Sequence, residues 1–242
     1  CWGLFGLGLL GTATAQNVDT LYYENFENYE AEPERFLLNV ETDFTDYTGC
    51  NYFVVNDEYT AGTVDFNASG IFCPPRSQDL NDTPDQPAGV ANGPQSFYLH
   101  SIGDLQANQD ILSATFCGTD PSTEAFCARC GDGLRCNNNR LFARMSQPVS
   151  TVGVSDSRLS FLWVNNGASF IYGEVYYSVD EGVSWNRIES IGSSLNGVVQ
   201  PGRLFDLTDR WERLTIPYIP EFDNQPSLLI GFGFRIDDIP TE

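Results

Sequence analysis

Short runs rich in Val, Ile, Leu, Phe and Tyr recur along the chain between clusters of Gly, Pro, Asn and Asp, and apolar residues almost nowhere recur at helical spacing. That rhythm predicts an all-β protein. The C-terminal half shows it most clearly, with predicted strands at 158–164, 173–179, 183–188, 211–216 and 228–236. Alternation within them places Leu159, Phe161 and Trp163 on one face of their strand, and Val175, Tyr177 and Val179 on one face of theirs. Strands with one apolar face must cover it, and a two-sheet antiparallel β-sandwich is the expected solution. In the N-terminal half, strands are expected at 21–26, 51–55 and 96–101. Between them Pro74, Pro75, Pro84, Pro87 and Pro94 predict a stretch that is mostly loop, because proline donates no ladder hydrogen bond. No segment repeats at a fixed period, which argues against a propeller or solenoid.

The first apolar run is different in kind. Residues 2–11 are followed by Ala13, Thr14 and Ala15, a small-x-small pattern ahead of Gln16. Residues 1–15 are therefore expected to be the remnant of a secretory signal peptide, and residues 16–242 a single secreted domain. The run is shorter than the roughly eighteen apolar residues a membrane helix needs, and no later segment reaches that length, so no transmembrane segment is expected. Because the chain opens on Cys1 without a basic region, it reads as a fragment, with further domains beyond Glu242 as one expectation. A lipid-modified Cys1 is disfavoured, because a greasy stretch follows it in place of a polar tether. Gly6, Gly8 and Gly11 spell GxGxxG, but no strand precedes them and no dinucleotide site is inferred.

Charge narrows the partners. The formal net charge is −21, from 33 acidic residues against 12 arginines with no lysine. Phosphate backbones require a basic footprint, so nucleic acid is excluded as an expected partner. Such acidity suits divalent cations or a salty medium, and its plainest reading is a solvated acidic surface.

Six cysteines follow the signal segment: Cys50, Cys73, Cys117, Cys127, Cys130 and Cys136. An even number in an exported chain favours disulfides. Four of them fall in CGTDPSTEAFCARCGDGLRC, which runs on into Asn137, Asn138 and Asn139, so residues 117–140 are expected to form a long disulfide-stapled loop insertion. A four-thiolate zinc site is the rival reading, since Cys127 and Cys130 have CxxC spacing, but the second CxxC of a zinc ribbon is missing. Cys50 and Cys73 are expected to pair with each other, and the connectivity of the other four stays open.

The sharpest local pattern is SVDEGVSW, in which Ser178, Asp180, Gly182, Ser184 and Trp185 resemble the Asp-box of sialidases and other β-propellers. Its physics is that of a hairpin. Asp180 can accept from amides around the turn, Gly182 can take positive φ, and Trp185 can pack on the hairpin base. It occurs once, and the expected role is to stabilise the fold rather than to bind sugar.

A second pattern spans the chain: an opening segment ending in Asn25, Phe26 and Glu27, a late strand from Trp211 to Ile216, and a closing run of Phe234, Arg235, Ile236, Asp237, Asp238 and Ile239. In order and spacing this resembles the MAM-type jelly roll and the MAM-like modules of bacterial secreted and surface proteins. The cysteine positions depart from those of animal MAM domains. The resemblance implies a jelly-roll topology, adhesion or extracellular recognition as the role, and, in some members, a structural calcium ion. It also implies that the first and last strands lie close. Glu27 with Asp237 or Asp238 would then be calcium ligands, and a regular strand presents only one of those two aspartates to such a site.

Catalytic signatures are few. His100 is the only histidine, so multi-histidine zinc chemistry is excluded, and neither a GxSxG elbow nor an HExxH is present. Glycoside hydrolysis needs only two carboxylates, but nothing singles out a pair. Tyr172, Tyr176, Tyr177 and Trp185 would suit sugar stacking if exposed, with core packing as the plainer alternative. Asn67 and Asn81 fit the glycosylation sequon. The expected function is a non-catalytic extracellular binding or adhesion module for a protein, surface or glycan, with the 117–136 loop as its most distinctive edge. The alternative is an accessory or carbohydrate-binding domain of a larger secreted hydrolase, and a stand-alone glycosidase comes third.

Overall fold

Thirteen strands and one 3-10 turn make up the regular structure of the residues that the computed structural model describes, which are 19–27, 35–45, 51–56, 63–66, 76–79, 98–103, 140–164, 171–195, 198–204 and 211–236. In chain order the strands are β1 (Phe36–Leu37), β2 (Asn51–Asn56), β3 (Thr63–Phe66), β4 (Arg76–Asp79), β5 (Tyr98–Gly103), β6 (Arg140–Met145) and β7 (Ser160–Trp163). They continue as β8 (Ile171–Ser178), β9 (Asn186–Arg187), β10 (Gly192–Leu195), β11 (Val198–Pro201), β12 (Glu212–Thr215) and β13 (Leu229–Ile236). The 3-10 turn, Pro220–Phe222, lies between β12 and β13. Among the described residues there is no helix long and apolar enough to cross a membrane. Every described pairing is antiparallel, as the all-β reading requires.

The largest sheet has five strands in the order β1-β6-β13-β8-β9. Its central strand, β13, is flanked by β6 and β8 along almost its whole length, with Phe232 opposite both Ala143 and Val175. Opposed residues share a face. One face therefore carries Leu141, Ala143, Met145, Val175, Tyr177, Ile230, Phe232 and Phe234, all in the hydrophobic core or packed on it. Ring contacts bring other elements against this face. Phe161 of β7 meets Phe232 edge-on at 5.2 Å, Phe53 of β2 meets Phe234 at 6.5 Å, and Phe222 of the 3-10 turn meets Tyr177 at 5.3 Å. β7 is paired with β12, and β2 with β5, so two strand pairs outside the large sheet help to bury its apolar side.

Leu159, Phe161 and Trp163 do pack together on the core, as their alternation predicts, and so do Val175, Tyr177 and Val179. Other expectations are corrected. Residues 21–26 do not form a strand. The Glu24 carboxylate accepts from the amides of Asn25 and Phe26 at 3.0 and 2.7 Å, and Phe26 takes φ 61°, so local side-chain bonding turns the backbone away from a ladder. The strand expected over 183–188 shrinks to Asn186–Arg187, because residues 180–184 are spent on the turn. The proline-bearing stretch contains β4, paired with β3 from Thr63↔Asp79 to Phe66↔Arg76. Strands β1, β3, β6, β10 and β11 were likewise not expected, and β6 is the most consequential of these.

Candidate functional site

The five-stranded sheet sorts its charge. Its strands hold four arginines, Arg140, Arg144, Arg187 and Arg235, against one acid, Glu174, a net +3 in a chain of net −21. By register all five lie on the face opposite the apolar core: Arg235 stands between Arg140 and Tyr172, Gly231 between Arg144 and Tyr176, and Tyr176 opposite Arg187. On this face β13 presents Gly231 and Gly233, and flanking rings lie across the gap they leave. A methyl group at Gly231 would overlap the tip of the Phe142 ring, and at Gly233 it would come within 3.0 Å of Tyr176 Cε2. Phe44 stacks parallel on Tyr176 at 4.7 Å and edge-on to Phe142 at 5.0 Å, while Trp185 meets Phe142 at 4.8 Å.

Glu174, only 5% exposed, is held by two donors. The Tyr176 hydroxyl donates to Oε2 and Arg187 Nη1 to Oε1, each at 2.7 Å. Arg187 Nε also donates to Glu189 Oε1 at 2.7 Å, so one guanidinium ties a buried carboxylate to an exposed one. Burial pushes the Tyr176 hydroxyl pKa up, and the neighbouring Glu174 charge pushes it further. For Arg187, burial works against the charge, but the hydrogen bonds to Glu174 and Glu189 outweigh it and raise the pKa. Gly202, at φ 72°, lets the chain cross this pair, since a Cβ there would stand 2.8 Å from both Arg187 Nε and Glu189 Oε2.

The Asp-box segment closes β8 onto β9. Asp180 Oδ1 accepts from the Ser178 hydroxyl at 2.7 Å and the Ser184 amide at 2.9 Å, and Oδ2 from the Ser184 hydroxyl at 2.6 Å. The Ser178 oxygen accepts from the Gly182 amide at 2.9 Å. Glu181 and Gly182 take φ 62° and 87°, and Gly182 sits over the Trp185 ring, where its hypothetical Cβ would be 3.6 Å from Cζ2. The Ser184 donors, then the Ser178 hydroxyl, hold the Asp180 carboxyl down at about 2. All of its described bonds are internal to the turn.

A second clasp at the same end of the sheet escaped the sequence reading. Asp223 accepts from the amides of Asp156 and Ser157 at 2.9 and 2.8 Å and from the Tyr218 hydroxyl at 2.7 Å, while Thr151 donates to Phe222 O at 2.6 Å. The signal available for it was the Asp-Asn-Gln turn that follows a Pro-x-Phe start.

Of the proposed calcium ligands, Glu27 is half-buried in a turn, its amide donating to Asn25 Oδ1 at 3.2 Å. Asp237 and Asp238 lie outside the described residues, as do Cys50, Cys73, Cys117, Cys127, Cys130, Cys136 and both sequon asparagines. No group of three or more His, Cys, Asp and Glu able to hold a metal occurs among the described residues. Calcium takes six to eight oxygens, and of the three proposed ligands only Glu27 lies among the described residues. His100 lies within β5, opposite Val54. The four aromatic residues take the plainer alternative, core packing: Tyr172 is fully buried, Tyr176 is 8% exposed, and Tyr177 and Trp185 pack against the core.

No family model matches the chain, and neither a curated protein nor a solved structure matches it.

Proposed function

We propose that the chain is a non-catalytic extracellular binding module, a MAM-like jelly-roll β-sandwich that presents its loops and sheet ends to a ligand. One observation carries the reading: around Phe142, Tyr176 and Phe232 the five-stranded sheet is covered on both faces by the protein's own side chains. Its apolar face meets Phe161 and Phe53, and its charged face is roofed by Phe44 and Trp185. Such a sheet is a scaffold, and among the described residues it offers no open cleft at its centre. Its central carboxylate serves the fold too, because both oxygens of Glu174 are engaged by Tyr176 and Arg187, whereas a glycosidase acid must reach a leaving-group oxygen.

The alternative, an accessory domain of a larger hydrolase, shares this scaffold and differs only in what is joined to it. The test is to offer the purified chain neutral and acidic oligosaccharides and extracellular proteins, measuring binding and product formation together. Saturable binding with unchanged ligand supports the module. Turnover at any of these substrates contradicts it.

A further inference from the structure

We propose that the end of the five-stranded sheet formed by Arg140, Arg235, Arg203 and Tyr172 binds a single anionic group, a carboxylate or sulfate ester on a sugar residue. The inference rests on the binding-module reading and supplies its ligand class. Arg140 and Arg235 are directly opposed on neighbouring strands, and Arg235 is in turn opposed to Tyr172. Like charges facing each other across a ladder destabilise it, and an anion between or above them reverses the sign of that contribution. Arg203, which enters beside β8 where Leu204 bridges Gly173, sets its guanidinium 4.7 Å over the Tyr172 ring, and that of Arg235 lies 5.9 Å from the same ring. The ring is fully buried.

Two further observations point to an external anion. Glu174, the sheet's only acid, is the next position along this face, but both its oxygens are already committed to Tyr176 and Arg187. Arg140 Nε and Arg235 Nε are both buried and make no hydrogen bond, and a desolvated cationic donor is costly to leave unused. Arg203 and Arg235 engage further partners of their own, so Arg140 is the anchor of the site and the other two set its field. Arginine suits the task because its planar fork grips carboxylate or sulfate through two parallel bonds. The surrounding net charge of −21 selects against a dense polyanion and favours one acidic group on an otherwise neutral ligand.

The experiment uses glucuronate, glucose 6-sulfate and glucose as probes, with calorimetry and thermal unfolding of the whole chain at about 0.15 M salt, where charges beyond about 8 Å are largely screened. Either acidic sugar is expected to bind and raise the melting temperature while glucose does neither, and the stronger of the two identifies the anion. Arg140→Gln is expected to lower that affinity at least about tenfold. Arg203→Gln, outside the ladder, is expected to lower it as well if the Arg140 variant fails to fold. Arg158→Gln, whose partner Asp156 lies in a loop near the other end of the sheet, leaves affinity unchanged. The proposal is overturned if neither acidic sugar binds, or if the Arg140 and Arg203 variants bind as tightly as the unsubstituted chain. Neutral-glycan or protein binding that survives Arg140→Gln would overturn this site and leave the module reading standing. Arg140-dependent turnover of an acidic glycan would do the reverse.

Discussion

Alanine at Gly231 and alanine at Gly173 are one substitution on adjacent strands of one sheet, yet the packing predicts opposite signs. At Gly231 the new Cβ would overlap the Phe142 ring and stand 2.6 Å from its Cε2 and 3.2 Å from Trp185 Cζ3. Phe142 cannot retreat, since it is fully buried and wedged by Phe44, Tyr176 and Trp185 at 5.0, 5.6 and 4.8 Å. Overpacking of this kind costs about 1–3 kcal/mol, and the rigid surround argues for the upper half. At Gly173 the new Cβ meets only Leu204 Cβ at 3.8 Å and Gly233 O at 4.0 Å, ordinary contacts at an ordinary φ. Removing glycine's freedom from the unfolded chain then stabilises by about 0.4–1 kcal/mol. Urea unfolding of both variants measures the difference, expected to be about 2–4 kcal/mol in favour of Gly173→Ala. Adding Phe142→Leu to each variant isolates the collision, because it relieves Gly231→Ala but not Gly173→Ala. Equal stabilities for the two alanine variants would refute the packing of the charged face.

Three further outcomes are expected. Asp180 and Asp223 have folded pKa values of about 2, below the usual 3.8. Their stabilisation is therefore complete above about pH 4 and is lost as pH falls to about 2, and Asp180→Asn and Asp223→Asn should each flatten the urea midpoint across that window. Glu174→Gln breaks the buried half of its ion pair and is expected to cost about 2 kcal/mol by denaturant titration, less than a fully buried pair because Arg187 is 28% exposed and keeps Glu189. Thr151→Val removes the hydroxyl that joins Phe222 O and the Gln225 amide and is expected to cost about 1–2 kcal/mol, with faster amide exchange confined to residues 151–157 and 222–226.

The parts of the fold legible in the sequence are those whose physics is local. Alternation in residues 159–163 and 175–179 is a property of single strands, so it survives into the structure. The Asp180 turn is legible because every bond that makes it lies between Ser178 and Trp185. Strand β6 is not legible, since Arg140–Met145 is buried at Leu141, Phe142 and Ala143 in succession and shows no alternation. The β10–β11 hairpin had a signal, Asn196 followed by Gly197, which its weakly apolar flanks obscured. Residues 21–26 look like a strand by composition, but Glu24 satisfies the amides that a ladder would have used.

The charged face is illegible for a different reason. Arg140, Tyr172, Arg203 and Arg235 are scattered over nearly a hundred positions, and only the pairing of β6, β13 and β8 brings them to one end of a sheet. Nothing in any one segment announces that four of twelve arginines share a face with a single acid. The aromatic residues were legible in their plainer reading: Tyr172 and Tyr176 pack inside the protein, where neighbouring strands and Phe44 bury them.

The central claim is recognition without turnover at a sheet end. Its most direct test is titration of the chain with a neutral trisaccharide bearing a single glucuronate, glucuronosyl-xylobiose, followed by mass analysis of the recovered sugar. The account predicts saturable binding that Arg140→Gln weakens and a trisaccharide of unchanged mass. Shortened sugar, or no binding at all, would contradict it.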